Sequence, residues 1–408
     1  MVDNGFVASP QTQNPAFPLE IAASMSDVCQ QFQAIIEAVC GLDARAKDVS
    51  TQFGIHAKLG WQIWNVAHTS PLNAYKFLPN RHGLLVWKQA AVARGVPLEL
   101  FDRLDELSEA VQTVVQKHAG NDEMFEMLLD SQLGEDQEEA EVKWRRQAFL
   151  GNTFSFGARA RLNLSTGILF PIEDGQAFSM VRLHGLVDLV RTRSGVRWPF
   201  ASLVVEHGEG VPSDLTRIPL IPTDEENAVP ILPDFCSHPL PEIQRVVEGL
   251  RVRDELLPST VGLTGASTIM TGEIVHRIGP TSGFEEGEVA YFGSGIRTPS
   301  EVYLADHIVH KSLFPDAKRE LCLYSELISS TARGEKDQME VSEKLISLGS
   351  GLHRVRTADM PNYLNLLHFA FRHIGFDPND FNVYRIRLRY PPIPASAMVK
   401  HDLPTGKN

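Results

Sequence analysis

The chain has 408 residues, 43% of them apolar and 22% charged, with a formal net charge of −13. That is globular composition, and the length predicts two or three domains. No apolar run approaches the ~20 residues that span a bilayer, and no signal-peptide pattern opens the chain. The four cysteines (Cys29, Cys40, Cys236, Cys322) lack CxxC spacing. A cytoplasmic protein without a disulfide framework, zinc ribbon or membrane partner is expected.

The acidic total hides an asymmetry. Between Gly41 and Pro97, seven basic residues (Arg45, Lys47, Lys58, Lys76, Arg81, Lys88, Arg94) stand against two acids, Asp43 and Asp48. A basic island on an acidic chain suits a localised phosphate footprint, although a solvated helix face can have the same composition.

Residues 1–18, rich in Asn, Gln and Pro, are expected to form a disordered arm. Leu19–Cys40 then sets Ile21, Met25, Val28, Phe32, Ile35, Ile36 and Val39 on one helical stripe, with Gly41 as its C-cap. Ala46–Phe53 and a second helix from about His56 to Ala67 flank Gly54, where a tight turn uses a positive φ. Leu59, Ile63 and Val66 form the inward seam of that second helix. Further helices are read at Pro71–Phe77, Leu84–Arg94 and Leu98–Ala119, so residues 19–133 form an all-α domain. The acidic run Gly134–Glu141 is read as a solvated linker or helix face, and 134–150 is assigned as linker.

The stretch Ala46–Asn65, AKDVSTQFGIHAKLGWQIWN, resembles the helix-turn-helix of repressor-type DNA-binding proteins. It has apolar Val49 and Phe53 at the fourth and eighth places, Gly54 at the ninth, and Ile55 and Ile63 at the tenth and eighteenth. Two places depart from the pattern. Ser50 replaces the usual alanine, and Gly60 stands where a branched aliphatic is usual, with Leu59 one residue early. The resemblance covers twenty residues of 408. It implies a second helix in the major groove, with His56, Lys58, Trp61, Gln62 and Asn65 toward base edges. It also implies Lys47, Lys76 and Arg81 on phosphates of double-stranded DNA, and a homodimer to meet two half-sites. A helical corner that only packs against its own domain has the same pattern.

From about Trp144 the texture changes. Strands are read at Ala158–Leu164, Phe178–Val190, Trp198–Val205, Gly287–Phe292, Glu301–Val309, Leu321–Ile328 and Val383–Tyr390. Helices are read at Pro239–Glu255, Met339–Gly349 and Pro361–Gly375. The two kinds do not alternate strictly, so residues 151–390 are expected to be an α+β domain that senses a ligand or mediates assembly. Residues 391–408 follow as an extended tail. The fold class is therefore α+β multidomain, an N-terminal all-α helix-turn-helix domain followed by a larger mixed α+β domain.

Val383–Tyr390 sets Tyr384, Ile386, Leu388 and Tyr390 on one face against Arg385, Arg387 and Arg389 on the other. Such a guanidinium stripe suits an anionic ligand or a partner surface, or simply the wet face of an edge strand. Arg191, Arg193 and Arg197 make a second basic cluster. Asp306-His307-x-x-His310 cannot chelate a metal from a strand, because the two histidines then point to opposite faces. Cys236 and His238 offer a thiol–imidazole pair, but flanking prolines suggest a loop. Gly262, Gly265 and Gly272 lack the spacing and the Lys of a phosphate loop. No catalytic residue, metal or cofactor is assigned. An enzyme would have to gather groups such as Asp306, His276 or Glu273 into one pocket. The leading expectation is a DNA-binding transcriptional regulator; the alternative is a non-enzymatic assembly or scaffold protein.

Overall fold

The computed structural model describes residues 16–132, 137–173, 175–204, 216–223, 228–248, 251–283, 287–327 and 335–404. The expected N-terminal arm lies outside these, except for Ala16–Pro18, which open the first helix. The chain divides into two units, Met1–Ala140 and Glu141–Asn408.

The first unit is all-helical among its described residues. Helix α1 (Ala16–Cys40) is its axis. Ile21, Met25, Phe32 and Ile35 on its apolar stripe are fully buried, as the helical spacing required. Around it lie α2 (Ala46–Phe53), α3 (Ala57–His68), α4 (Pro71–Ala74), α5 (Arg81–Val92), α6 (Leu98–His118) and α7 (Asp122–Gln132). Trp87 of α5 is the centre of this core. Its ring meets Phe32 at 4.8 Å, Phe101 at 5.3 Å and Phe53 at 6.1 Å between centroids.

The second unit opens within α8 (Gln137–Phe156), which leads into a seven-stranded sheet. Its strands are β1 (Ala158–Pro171), β2 (Ala177–Arg191), β4 (Thr216–Pro219), β7 (Ser267–Pro280), β9 (Ser300–His310), β12 (Ile346–Ser350) and β13 (Phe381–Arg389), in the order β12-β13-β9-β1-β2-β7-β4. Only the β1–β9 pairing is parallel. Helix α9 (Tyr363–Ile374) covers one face, where Leu162, Leu164, Leu304, Ile308 and Val383 meet Leu366, Leu367 and Phe371. A four-stranded antiparallel sheet covers part of the other. It comprises β11 (Gln338–Met339), β10 (Arg319–Ser325), β14 (Ala395–Asp402) and β8 (Val289–Ile296). Tyr303, Ala305, Ile386 and Leu388 pack there against Leu323, Ala397 and Val399. A third sheet joins β3 (Trp198–Val204), β6 (Arg251–Leu256) and β5 (Ile243–Glu248). The class is α+β, with the sheets confined to the second unit among the described residues.

Four sequence expectations need correction. Residues 137–150 are helical within α8 rather than linker, while the expectation for 133–136 falls outside the described residues. The helix expected over Pro239–Glu255 is instead, among the described residues, the paired strands β5 and β6, and Arg245 forks onto Asp254 across the pair at 2.7 and 2.8 Å. Met339–Gly349 holds the last residue of β11 and most of β12 instead of a helix. Residues 395–402 of the expected tail are an interior strand, bonded to β10 on one side and β8 on the other. In the last three cases a ladder offered by a partner strand overrides a weak local preference.

A buried histidine marks the interior between the large sheets. His307 of β9 is 7% exposed. Burial, and then the neighbouring His401, push its imidazole down to about 4. The unfolded imidazole takes its proton near the ordinary value of about 6.5. Stability held above that pH is therefore lost as the solution is acidified from about 6.5 toward 4, by about 3 kcal/mol for this one group. The expected result is a urea midpoint that falls between pH 7 and pH 5, and falls less steeply in His307→Gln. Equal slopes for the two proteins would assign the loss to other groups.

Candidate nucleic-acid interface and the arginine frame of the second unit

The corner between α2 and α3 is built as its residues require. Gly54 lies in the left-handed region (φ 65°), and Ile55 N–H closes back onto the Ser50 carbonyl at 3.0 Å. The Arg94 guanidinium lies over Gly54, where an added Cβ would come within 2.7 Å of it. Val49 and Phe53 are fully buried. The unusual Gly60 now has a reason. A Cβ there would stand 2.7–2.8 Å from the Cβ, Cα and N of Ser50, so two small residues let the helices cross at close range. The buried seam of α3 is Gly60, Ile63 and Val66, with Leu59 half-buried beside it.

That seam sets what faces outward. Lys58, Trp61, Gln62 and Asn65 fall three or four residues apart on one stripe. Lys58 is exposed, and its ammonium has no ion pair among the described residues. Trp61 is 49% exposed, edge-on to Phe77 at 5.3 Å. Gln62 and Asn65 are half-buried, and Asn65 donates its amide to the Trp61 carbonyl at 2.8 Å. His56 is spent locally: its Nδ1 caps α3 by accepting the Lys58 N–H at 3.2 Å.

The expected phosphate contacts divide. Lys47 in the first turn of α2 and Arg81 in the first turn of α5 are exposed, without a carboxylate partner among the described residues. Gly83, two residues after Arg81, lies against Leu59 of α3, so the opening turns of α5 and α3 adjoin. Lys76 does not join them, because its ammonium bonds the buried Asp130 carboxylate at 2.8 Å. Lys88 is likewise held by Asp102 and Asp105. The basic island thus leaves fewer bare cations than its composition promised.

The arginine stripe of β13 does not belong to an edge strand, since β13 is flanked by β12 and β9. Arg385 is 7% exposed and forks onto the fully buried Asp306, Nε to Oδ1 at 2.8 Å and Nη2 to Oδ2 at 2.7 Å. The Tyr363 hydroxyl donates to the same carboxylate at 2.9 Å. Burial and that carboxylate push the Tyr363 phenol well above its ordinary range. Arg387 forks onto Asp359 at 2.8 and 3.0 Å, which holds the Asp359 carboxyl below the usual range. Only Arg389 remains exposed. In the second cluster Arg191 is 1% exposed, its guanidinium spent on the Val196 and Leu257 carbonyls and the Ser259 hydroxyl.

The residues an enzyme would have to gather stay apart. Asp306 faces α9, whereas Glu273 sits between Arg182 and Arg217 at 2.5 and 2.6 Å, and His276 bonds Ser179. Cys236 donates to the Leu232 carbonyl and accepts the Met270 N–H, and burial pushes its thiol up, away from a reactive thiolate. Among the described residues no helix is long and apolar enough to cross a membrane. No protein-family model, curated protein or solved structure matches the chain.

Proposed function

We propose that the protein is a DNA-binding regulator that reads the major groove with α3 while its second unit senses a ligand or mediates assembly. The observation that supports this most is the outward stripe Lys58, Trp61, Gln62 and Asn65, carried on a helix fixed from behind by the Gly60–Ser50 crossing. Gln and Asn offer the donor–acceptor pair that adenine matches, Lys suits guanine, and Trp61 suits a thymine methyl. Lys47 and Arg81 supply phosphate contacts that set position without reading sequence. A homodimer would place two such helices about 34 Å apart on successive major-groove faces.

The test starts from a random duplex library, from which the full chain selects its preferred DNA. Lys58→Ala with Gln62→Ala is expected to abolish preference for the selected duplex over a scrambled one, with an unchanged circular dichroism melting curve. Each lost base contact is worth about 1–3 kcal/mol of discrimination. Undiminished preference would refute the reading. The exposed Trp61 and Leu85 favour a second reading, a protein-assembly surface on the same helices. The two differ in salt response, because displaced counterions make DNA affinity fall steeply as salt rises.

A further inference from the structure

The guanidiniums of β13 frame something else. The segment between the buried Val355 and Met360 is pinned at both ends. Arg385 Nη2 donates to the Val355 carbonyl at 2.7 Å, Arg161 Nη1 donates to the Asp359 carbonyl at 2.8 Å, and Arg387 holds the Asp359 carboxylate. Thr357 is tied into the same frame through its hydroxyl, 3.0 Å from Asp359 Oδ2. Between these anchors Arg356 and Ala358 turn outward.

With Thr357, Pro361, Leu364 and Asn365 they line an open cleft of about 490 Å³. That volume lies within the range of about 300–1,000 Å³ typical of small-molecule sites. Arg356 is the chemically informative group. Arg159, Arg161, Arg297, Arg385 and Arg387 each hold a carboxylate. Arg356 has no ion pair or side-chain hydrogen bond among the described residues, and the acid nearest to it in sequence, Asp359, is already taken by Arg387. An unpaired guanidinium that shares a cleft with Pro361 and Leu364, on a backbone segment already pinned at both ends, suits an anion with an apolar body.

We propose that this cleft binds a small organic anion. Its carboxylate or phosphate group is taken by Arg356, its apolar body lies on Pro361 and Leu364, and a polar substituent meets the Asn365 amide. The site stands or falls without reference to DNA.

The test titrates the full chain with four probes by ligand-observed saturation-transfer NMR: phenylacetate, phenyl phosphate, inorganic phosphate and benzyl alcohol. At least one aromatic anion is expected to bind at millimolar or tighter concentration, and more tightly than both inorganic phosphate and benzyl alcohol. Preference between the aromatic anions identifies the head group as carboxylate or phosphate. Arg356→Gln is expected to weaken binding at least about tenfold. Ala358→Trp, which fills the cleft from its exposed rim, is expected to abolish it. Both variants should melt like the parent chain, since both positions are exposed. The proposal is overturned if neither aromatic anion binds, if the anions bind no better than benzyl alcohol, or if both variants bind like the parent.

Discussion

Replacing Asp306 by alanine is expected to destabilise the second unit by about 3–5 kcal/mol, the usual cost of stranding one member of a buried ion pair. Asp306 is 0% exposed and accepts two guanidinium bonds and the Tyr363 hydroxyl. Without it, Arg385 keeps its charge in an interior with only the Val355 carbonyl as acceptor among the described residues. A urea titration followed by far-ultraviolet circular dichroism reads the loss. Asp306→Leu with Arg385→Met should recover most of it, because removing both charges removes the desolvation problem that removing one exposes. A double variant as unstable as the single would show that the network contributes by shape rather than charge. Arg385 also pins Val355, so Asp306→Ala should loosen the wall of the Arg356 cleft and weaken anion binding there.

The second large effect is expected at Trp87→Ala in the first unit. A fully buried indole among Phe32, Phe53 and Phe101 leaves a cavity worth about 3–5 kcal/mol when truncated. The loss should not be confined to α5. Phe53 is the inward residue at the end of α2, so the corner that presents α3 loses its backing. Hydrogen exchange is expected to show lost amide protection across α2 and α3 as well as α5. Protection lost only in α5 would mean that the corner holds itself together. Trp87→Phe should be far milder, because the buried indole N–H has no acceptor among the described residues and its removal costs none of the hydrogen bonds seen there.

The helical corner was legible because everything it needs is local. Val49, Phe53, Gly54, Ile55 and Ile63 are close enough in the chain for spacing alone to imply two helices and a left-handed turn. The register of α3 was harder, since Gly60 makes sense only once Ser50 is seen against it. The long stripes of α1 and α6 and the strands β1, β2 and β9 could be read for the same reason: periodicity over many residues leaves little ambiguity. The cleft at Arg356 left no such trace, because its frame comes from β1 and β13, far along the chain from the loop they pin.

Sequence by itself therefore determined an all-helical first part with a glycine corner, a strand-rich second part, and an uneven distribution of charge. Tertiary structure alone decided that 243–248, 251–256 and 395–402 are strands, since an isolated segment has no ladder to join until its neighbours arrive. It also decided which cations stay bare. The side chain of Arg385 looks the same as that of Arg356 in a one-dimensional string. The difference is a carboxylate 79 residues away that reaches one and not the other.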